Sequence, residues 1–579
     1  MFLLVTDDIS ALDGMALRLE GRESVPRFWR AAGEAGAASL QPDFVADDEH
    51  DVQPIVNDER VFVGQVRLDD RDGVLASLNV DPRDRFRMAD STIACMALDV
   101  WGEAALDKLA GDFAFAVWRR RERRVIAAVD HHGARRLLWC RSRRGLILCG
   151  QMAPLFAHPD VSREFDLDAI ARLFDAGIDR DSTPFVHVRA LPGGHLLDWR
   201  DGEVRIRRWW NPETSASIVH RNPGDYVEQT RELFERAVAT RLRTKGAVSS
   251  TLSGGLDSGL VTATAARQLR SRGMRLMSYT AVPTSDLLRY ERPGWDSDDT
   301  PYARETASLH DNVDQRLVSA AGRCVLDLLP DFHRRACTPT KSIPNFLWLD
   351  PITTSVRQNG GRALLLGEMG NATISWPGMG RTGELIGLAR RAIPRRFGQL
   401  PPPASVSFLR AERRPSWRLR GGMYAERRGT RAHWAALVTT PLNVWWPDPA
   451  AHWGVEWRDP TADRRLIETL LRYPLRAFRA GGRERGLARA LAVGLLPDRV
   501  RLRRTRGAQL PEGPSLIALH AKRYAGALEE MRRSHECREL LDFEAIRRAL
   551  EVIAAGSLDG PLADAIDRAY DVGLFLCRR

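Results

Sequence analysis

No apolar run in this chain approaches the ~18 residues that would cross a bilayer, so a membrane-spanning protein is not expected. The first residues, Met1-Phe-Leu-Leu-Val-Thr-Asp-Asp8, carry no basic leader and soon meet acids, unlike a secretory signal. Cysteine is sparse. The seven, at positions 95, 140, 149, 324, 337, 537 and 577, are odd in number, scattered, and without a C-x-x-C spacing. That argues against a disulfide framework and against a zinc site, and it suits a reducing cytoplasm, the expected location. Lysine is nearly absent, so the net charge of +11 is carried by arginine. Such a balance suits nucleic acid or any acidic ligand. However, there is no zinc-finger pattern, RNP-like aromatic strand or basic heptad, so neither nucleic acid nor membrane is an expected partner.

What is present describes a globular protein of more than one domain. There are 579 residues, 44% of them hydrophobic and 28% charged. Up to about residue 205 short apolar runs recur between charged or Gly-containing turns: Val61–Val66, Phe113–Trp118, Val125–Val129, Leu137–Trp139 and Leu146–Cys149. This is the pattern of a sheet built from hairpins. A Pro, Gly and polar segment, 211–225, reads as a linker, and helical periodicity begins at Tyr226. From 247 onward strands alternate with helices: Arg275–Val282, Gln315–Val318 and Arg362–Leu366 are strand-like, and Tyr302–Leu309 is helix-like. That alternation predicts a parallel sheet covered by helices, with ligands at the carboxyl ends of its strands. The expected fold class is therefore α/β, with an α+β first domain. Residues 381–431 break the pattern with 13 Arg against 3 Glu. They read either as a solvated surface insertion, extending to about 440, or as a lid or peptide-binding surface.

The run Ser253-Gly-Gly-Leu-Asp-Ser258 follows the strand-like Ala247–Leu252 and precedes a helix of small residues. Strand, glycine turn and helix N-terminus together make an anion site, since backbone N–H groups and the helix dipole converge there. The glycines admit a phosphate closely, and the serines can donate hydroxyl hydrogen bonds. Asp257 would repel a bare phosphate but makes sense with Mg²⁺ between them. No lysine follows the glycines, so this is not a Walker loop. The run resembles the loop of the ATP pyrophosphatase superfamily, which implies ATP cleaved between its α and β phosphates, with Mg²⁺.

Further segments resemble the asparagine synthetase family in order: Gly64–Asp70, Gly111–Trp118, Asp130–Arg135, Leu191–His195 with Arg208-Trp209, Gly367–Asn371, Gly454–Pro460 with Asp463, Leu495–Pro497 and Arg504–Gly507. The resemblance implies an amidotransferase-like (Ntn-type) sheet sandwich over 1–210. The linker follows, and an ATP pyrophosphatase-type synthetase domain occupies 226–579. Glutamine-dependent members need cysteine as the mature first residue. Here Phe2 is no nucleophile and no Cys precedes residue 95, so the first domain is expected to lack glutaminase chemistry. Gly367–Trp376 is similar to a "G-x-x-G-N-x-T-x-S-W" variant of the lasso-peptide macrolactam synthetases. That resemblance implies a ligase that adenylates an Asp or Glu side chain of a ribosomal precursor peptide and joins it to the peptide's α-amine. It also implies two partners, a leader peptidase and a leader-recognition protein. A β-lactam synthetase or another glutamine-independent amide ligase, and a non-catalytic peptide-binding relative, are the alternatives.

The resemblance assigns roles residue by residue. Ser253, Gly254, Gly255 and Ser258, with Leu252, Gly367 and Glu368, would surround ATP. Asp257 and the residue aligned with the family's second metal ligand, Asn371, would hold Mg²⁺; because Asn371 is neutral, Glu368 is the alternative. Glu456 aligns with an acid near the reacting carboxylate. It could deprotonate the attacking ammonium if burial lifts its pKa, or it could be salt-bridged to Arg458. Arg506 or Arg504 stands where the family has a lysine near the transition state, or neither does.

Overall fold

The computed structural model describes residues 1–579 except 7–8, 20–24, 32, 41, 144, 175–180, 213–216, 341, 378–405, 415–433, 435–437, 439–444 and 579. The first unit is two antiparallel six-stranded sheets. Its strands are β1 (Phe2–Thr6), β2 (Arg27–Ala31), β3 (Ala35–Ser39), β4 (Ile55–Val56), β5 (Arg60–Leu68), β6 (Gly111–Arg119), β7 (Arg124–Val129), β8 (Leu138–Arg141), β9 (Leu146–Cys149), β10 (Arg189–Ala190), β11 (His195–Arg200) and β12 (Glu203–Arg208). One sheet runs β10-β8-β9-β1-β3-β2 and the other β12-β11-β7-β6-β5-β4.

Alternation decides which face each residue takes. Phe2 and Leu4 of β1 turn inward to meet Val61, Val63 and Trp118 between the sheets, while Leu3 and Val5 turn to the opposite face. On the far side of the second sheet, Phe62, Phe113 and Phe115 pack under the helix Asp90–Trp101. Helices therefore cover a sandwich, the α+β arrangement expected of the first domain. The hairpin strands foreseen from sequence are all present. The strand β1 is an addition to the sequence reading: its apolar residues Phe2–Val5 stand at the chain's start, where the sequence is compared with a secretory signal.

The second unit opens with the helix Pro223–Arg241, whose first turn is capped by Asn222. Its strands are β13 (Val248–Thr251), β14 (Leu276–Ala281), β15 (Trp295–Asp296), β16 (Val313–Val318), β17 (Ala363–Leu365), β18 (Glu456–Arg458) and β19 (Arg506–Gly507). Five form a wholly parallel sheet in the order β16-β14-β13-β17-β18. The chain builds outward from β13 on one side and returns to its other side through β17. This puts the topological switch between β13 and β17, and the strands' carboxyl ends at such a switch are where open α/β sheets bind ligands. β15 and β19 form a small parallel pair apart from that sheet. Most of the Arg-rich insertion expected at 381–440 lies outside the described residues.

The two units share their interior. Leu3 and Val5 belong to the same apolar cluster as Tyr279, Leu364, Ile566 and Phe575 of the second unit. A chain of buried ion pairs also crosses between them. Arg67 pairs with Asp69 (2.6 Å) and Asp112 (2.7 Å), and Arg241 pairs with Asp69 (3.2 Å) and Asp463 (3.1 Å).

Candidate active site

The glycine run sits at the switch point. β13 ends at Thr251, and Leu252 stays bound to the sheet: its N–H donates to Tyr279 O (2.8 Å), while its carbonyl accepts from Thr280 Oγ1 (2.7 Å). Its buried side chain packs on Ala303 and Ala307, so Leu252 launches the loop. The helix Leu256–Arg270 then begins with Gly255 as its cap. Ser253 and Ser258 close the turn on themselves: their hydroxyls lie 2.8 Å apart, Ser253 N–H donates to Ser258 Oγ (3.0 Å), and Gly255 N–H donates to Ser253 Oγ (3.2 Å). The first-turn N–H groups that follow have no helical acceptor, which makes this end electropositive.

Gly254 is gripped from outside the loop. A Cβ on it would meet Arg503 Nη1 at 2.7 Å and Tyr302 Cβ at 2.8 Å. Arg503 Nη1 donates to the Gly254 carbonyl (3.0 Å), its plane lies 4.0 Å over the Tyr302 ring, and its remaining N–H groups pair with Asp296 (2.6 Å) and Asp299 (2.7 Å). Arg503 thus ties β15 and β19 to the loop. The two arginines singled out from sequence lie elsewhere: Arg504 and Arg506 are exposed, and Arg506 reaches over the Trp295 ring at 5.8 Å.

Asp257 occupies the first turn, buried, with Oδ1 unpartnered. Burial raises its pKa to about 6, against a hydrogen bond from Ser375 and the nearby Arg485 charge, with Asp459 raising it further. Gly367, at the end of β17, and Gly370 allow the next segment to pass over it. A Cβ on Gly367 would sit 2.9 Å from the Asp257 carbonyl carbon, and one on Gly370 would collide with the Asp257 carboxyl. That segment is held from beyond β18: Met369 N–H donates to Asp459 Oδ2 (2.7 Å). Further along, Trp376 stacks on Trp434 at 5.0 Å.

The neighbouring polar groups answer the metal question unevenly. An orphaned carboxylate oxygen at an electropositive helix end fits a cation shared with phosphate oxygens. Asn371 fits less well, since its Oδ1 accepts from Arg485 Nη2 (3.0 Å) and the residue is exposed. Glu368 is exposed in the short 3₁₀ turn Glu368–Ala372. Among the described residues no group of three or more His, Cys, Asp or Glu could hold a metal alone, so such a cation would lean on Asp257 and on the nucleotide's own oxygens.

Glu456 overturns the condition attached to it. Burial works to raise its pKa, but Arg135, Arg458 and Arg67 outweigh burial and hold it at about 2. Arg458 Nε donates to it at 2.9 Å, and Arg135 of the first unit forms a second ion pair. A carboxylate held that low is a poor proton acceptor at neutral pH. The salt bridge to Arg458, the alternative seen in the sequence, is present.

Several site residues were not foreseen: Asp296, Asp299, Tyr302, Arg503, Arg485, Asp459 and Arg135. One signal was available. Trp295-Asp-Ser-Asp-Asp299 is an acid-rich run just before a helix, and Arg503 adjoins the block already quoted. Arg135 and Asp459 lie inside segments already quoted, Asp130–Arg135 and Gly454–Pro460, but had no role attached to them; Arg485 gave no signal, because arginine is too common in this chain to stand out.

Taken together, a helix-covered antiparallel sandwich and a helix-covered parallel sheet with a glycine loop at its switch point define a two-unit α/β architecture. The Asparagine synthase family model matches residues 229–560, more than half of the chain, and the Glutamine amidotransferase domain model matches 76–210. The chain belongs to the asparagine synthase family. Asparagine synthetase [glutamine-hydrolyzing] 3 of Bacillus subtilis (strain 168) is 30% identical over 191 residues, 32% of this chain and 30% of that protein. Amidase chry2 of Gibberella zeae is 25% identical over 290 residues, 48% and 42% respectively. The maize asparagine synthetase [glutamine-hydrolyzing] is 26% identical over 217 residues, 38% and 32%. The alignments with these relatives therefore span less than half of either protein. A solved glutamine PRPP amidotransferase from B. subtilis, complexed with ADP and GMP, has 10% identity and a TM-score of 0.24, covering 48% of this chain and 74% of that one. That likeness is too slight to carry an argument.

Proposed function

We propose that this protein is an ATP-dependent, AMP-forming amide ligase that closes a macrolactam in a ribosomal peptide. It would activate an Asp or Glu side-chain carboxylate and join it to the peptide's own α-amine, as in lasso-peptide cyclisation. The observation that carries the ligase reading is the orphaned Asp257 carboxylate at the helix end behind Ser253–Ser258. Ser253 and Ser258 would turn their hydroxyls from each other to the pyrophosphate oxygens. Asp257 would hold Mg²⁺, which neutralises the charge on the departing pyrophosphate. Arg503 keeps the Gly254 peptide in place by gripping its carbonyl.

A source of amine other than glutamine is supported by the first unit. Burial pushes the thiols of Cys95, Cys140 and Cys149 up to about 12, so none of these three supplies a thiolate to release ammonia from glutamine. The peptide as acyl donor is supported by the Gly367–Trp376 segment, which roofs Asp257. A leader peptidase and a leader-recognition protein would deliver that substrate, and the cytoplasm would be its place. Among the described residues no helix is long and apolar enough to cross a membrane.

The test is incubation with ATP, Mg²⁺ and a leader-free precursor peptide. AMP and pyrophosphate should appear together with a peptide lighter by one water. A small amino acid that drives AMP release in place of any peptide would instead make this an amide ligase of small molecules, the β-lactam synthetase reading. No substrate-dependent AMP with either would leave a peptide-binding relative.

A further inference from the structure

Two thiols meet at the end of the helix Gly560–Leu576. Cys537 Sγ and Cys577 Sγ lie 4.0 Å apart, across 40 residues of chain. The backbone holds each in place. Cys537 sits in the first turn of the helix His535–Leu540, where its N–H donates to the capping hydroxyl of Ser534 (3.3 Å). Cys577 caps the helix Gly560–Leu576, and its N–H donates to the Gly573 carbonyl (3.2 Å). The Cys537 S–H donates to that same carbonyl (3.2 Å). Gly573 permits the approach: a Cβ there would run into the Met531 side chain, with Sδ at 2.8 Å. The contact that seats this helix on Ala521–Arg533 therefore also seats Cys577 beside Cys537.

The two sulfurs differ in what can reach them. Cys537 is fully buried and Cys577 half-buried. The hydrogen bond from Cys537 draws the Cys577 thiol below its ordinary pKa, against burial and the charges of Glu530 and Glu536. The same contact and burial raise Cys537. An accessible sulfur with thiolate character beside a buried thiol is the arrangement of an attacking and a resolving cysteine. Cys140 and Cys149 offer a contrast. They stand on paired strands, but both are sealed in the core with thiols pushed up to about 12, so no reagent meets them.

We propose that Cys577 and Cys537 form a modification site for small disulfides of the glutathione disulfide class, which closes to an internal Cys537–Cys577 disulfide. The Cys577 thiolate attacks one sulfur of the reagent and expels a small thiolate, leaving a mixed disulfide. The Cys537 sulfur then attacks the Cys577 sulfur, and its proton passes to the second small thiolate as that departs. Two protein S–H bonds are exchanged for one S–S bond, and the reagent is reduced to two thiols. The sulfurs have about 2 Å to close. Cys577 supplies that movement at a helix end, where the backbone opens most readily. The bond staples the helix Gly560–Leu576 to His535–Leu540 and constrains the unfolded chain. Excess small thiol reopens it. The pair does not depend on the ligase reading.

Mass spectrometry of the full chain treated with glutathione disulfide tests this. The chain should lose two hydrogens and keep no glutathione. After denaturation, two of the seven thiols should resist alkylation, and digestion should release Cys537 and Cys577 in one cross-linked product. Cys537→Ser should instead retain one glutathione on Cys577, and Cys577→Ser should take up none at Cys537. The oxidised chain should melt at least about 2 °C above the reduced one, and dithiothreitol should reverse the shift. A glutathione that persists on Cys577 of the unaltered chain, seven alkylatable thiols after treatment, or no rise in melting temperature would overturn the proposal. If Cys537→Ser does not fold, the cross-linked product and Cys577→Ser decide alone.

Discussion

Asp257 and Glu456 are both buried carboxylates, and their surroundings separate them. Asp257 has an oxygen without a partner and a pKa raised to about 6, whereas Glu456 lies among Arg135, Arg458 and Arg67 at about 2. Asp257→Asn should reduce substrate-dependent pyrophosphate release by at least about 100-fold while the melting temperature does not fall, since a buried charge is removed. Glu456→Gln should act the other way, first on stability. It strands two buried guanidiniums and should cost about 3–5 kcal/mol in denaturant unfolding. Because its folded pKa lies below the ordinary glutamate value of 4.5, its stabilisation is present above that value and is lost as pH falls toward 2. By the same reasoning, the pH–rate profile near neutrality should contain no ionisation from Glu456.

At the scale of elements, the short turns after β13 and β17 face each other, and glycine is required where they touch. Gly370→Ala would drive a methyl into the Asp257 carboxyl. ATP affinity should fall at least about tenfold in equilibrium binding, with a stability loss of about 1–3 kcal/mol. The closing helix Gly560–Leu576 carries a second unusual acid. Burial raises Asp567 to about 8, and the residue accepts from Tyr524 Oη (2.6 Å). A raised folded pKa means stability that is complete below the unfolded value and declines as pH climbs through 8. Asp567→Asn should therefore flatten the fall in melting temperature between about pH 4 and pH 8 in a thermal scan.

Elements were also the scale at which the sequence was most legible. Short apolar runs in β5, β6, β7 and β9 and the strand–glycine–helix grammar at β13 each declare themselves within about ten residues. Arg503, Asp299 and Asp459 did not, because their partners lie far along the chain and only the fold brings them together. For Glu456 the sequence left two alternatives open for the same reason: Arg458 is two residues away, but Arg135 and Arg67 arrive from the other unit.

For the whole molecule, the buried pairs Arg67–Asp112 and Arg241–Asp69 and the common apolar cluster make the boundary between units an interior. Residues 226–579 expressed alone would expose Asp463, Arg241 and the cluster's second half together. They should be recovered as aggregate or as a molten form without near-ultraviolet circular dichroism, whereas the full chain melts in one cooperative step.

The shared interior has a practical consequence for chain continuity. If cohesion resides in packing across the boundary, the covalent link ahead of the helix Pro223–Arg241, at 211–222, contributes mainly effective concentration. A single proteolytic nick there should leave both fragments co-eluting on gel filtration, and two separately translated halves, co-expressed, should complement each other. The molecule would then behave as an obligate heterodimer that happens to be encoded as one polypeptide, and a gene fission at that point would be tolerated where a deletion of either half would not.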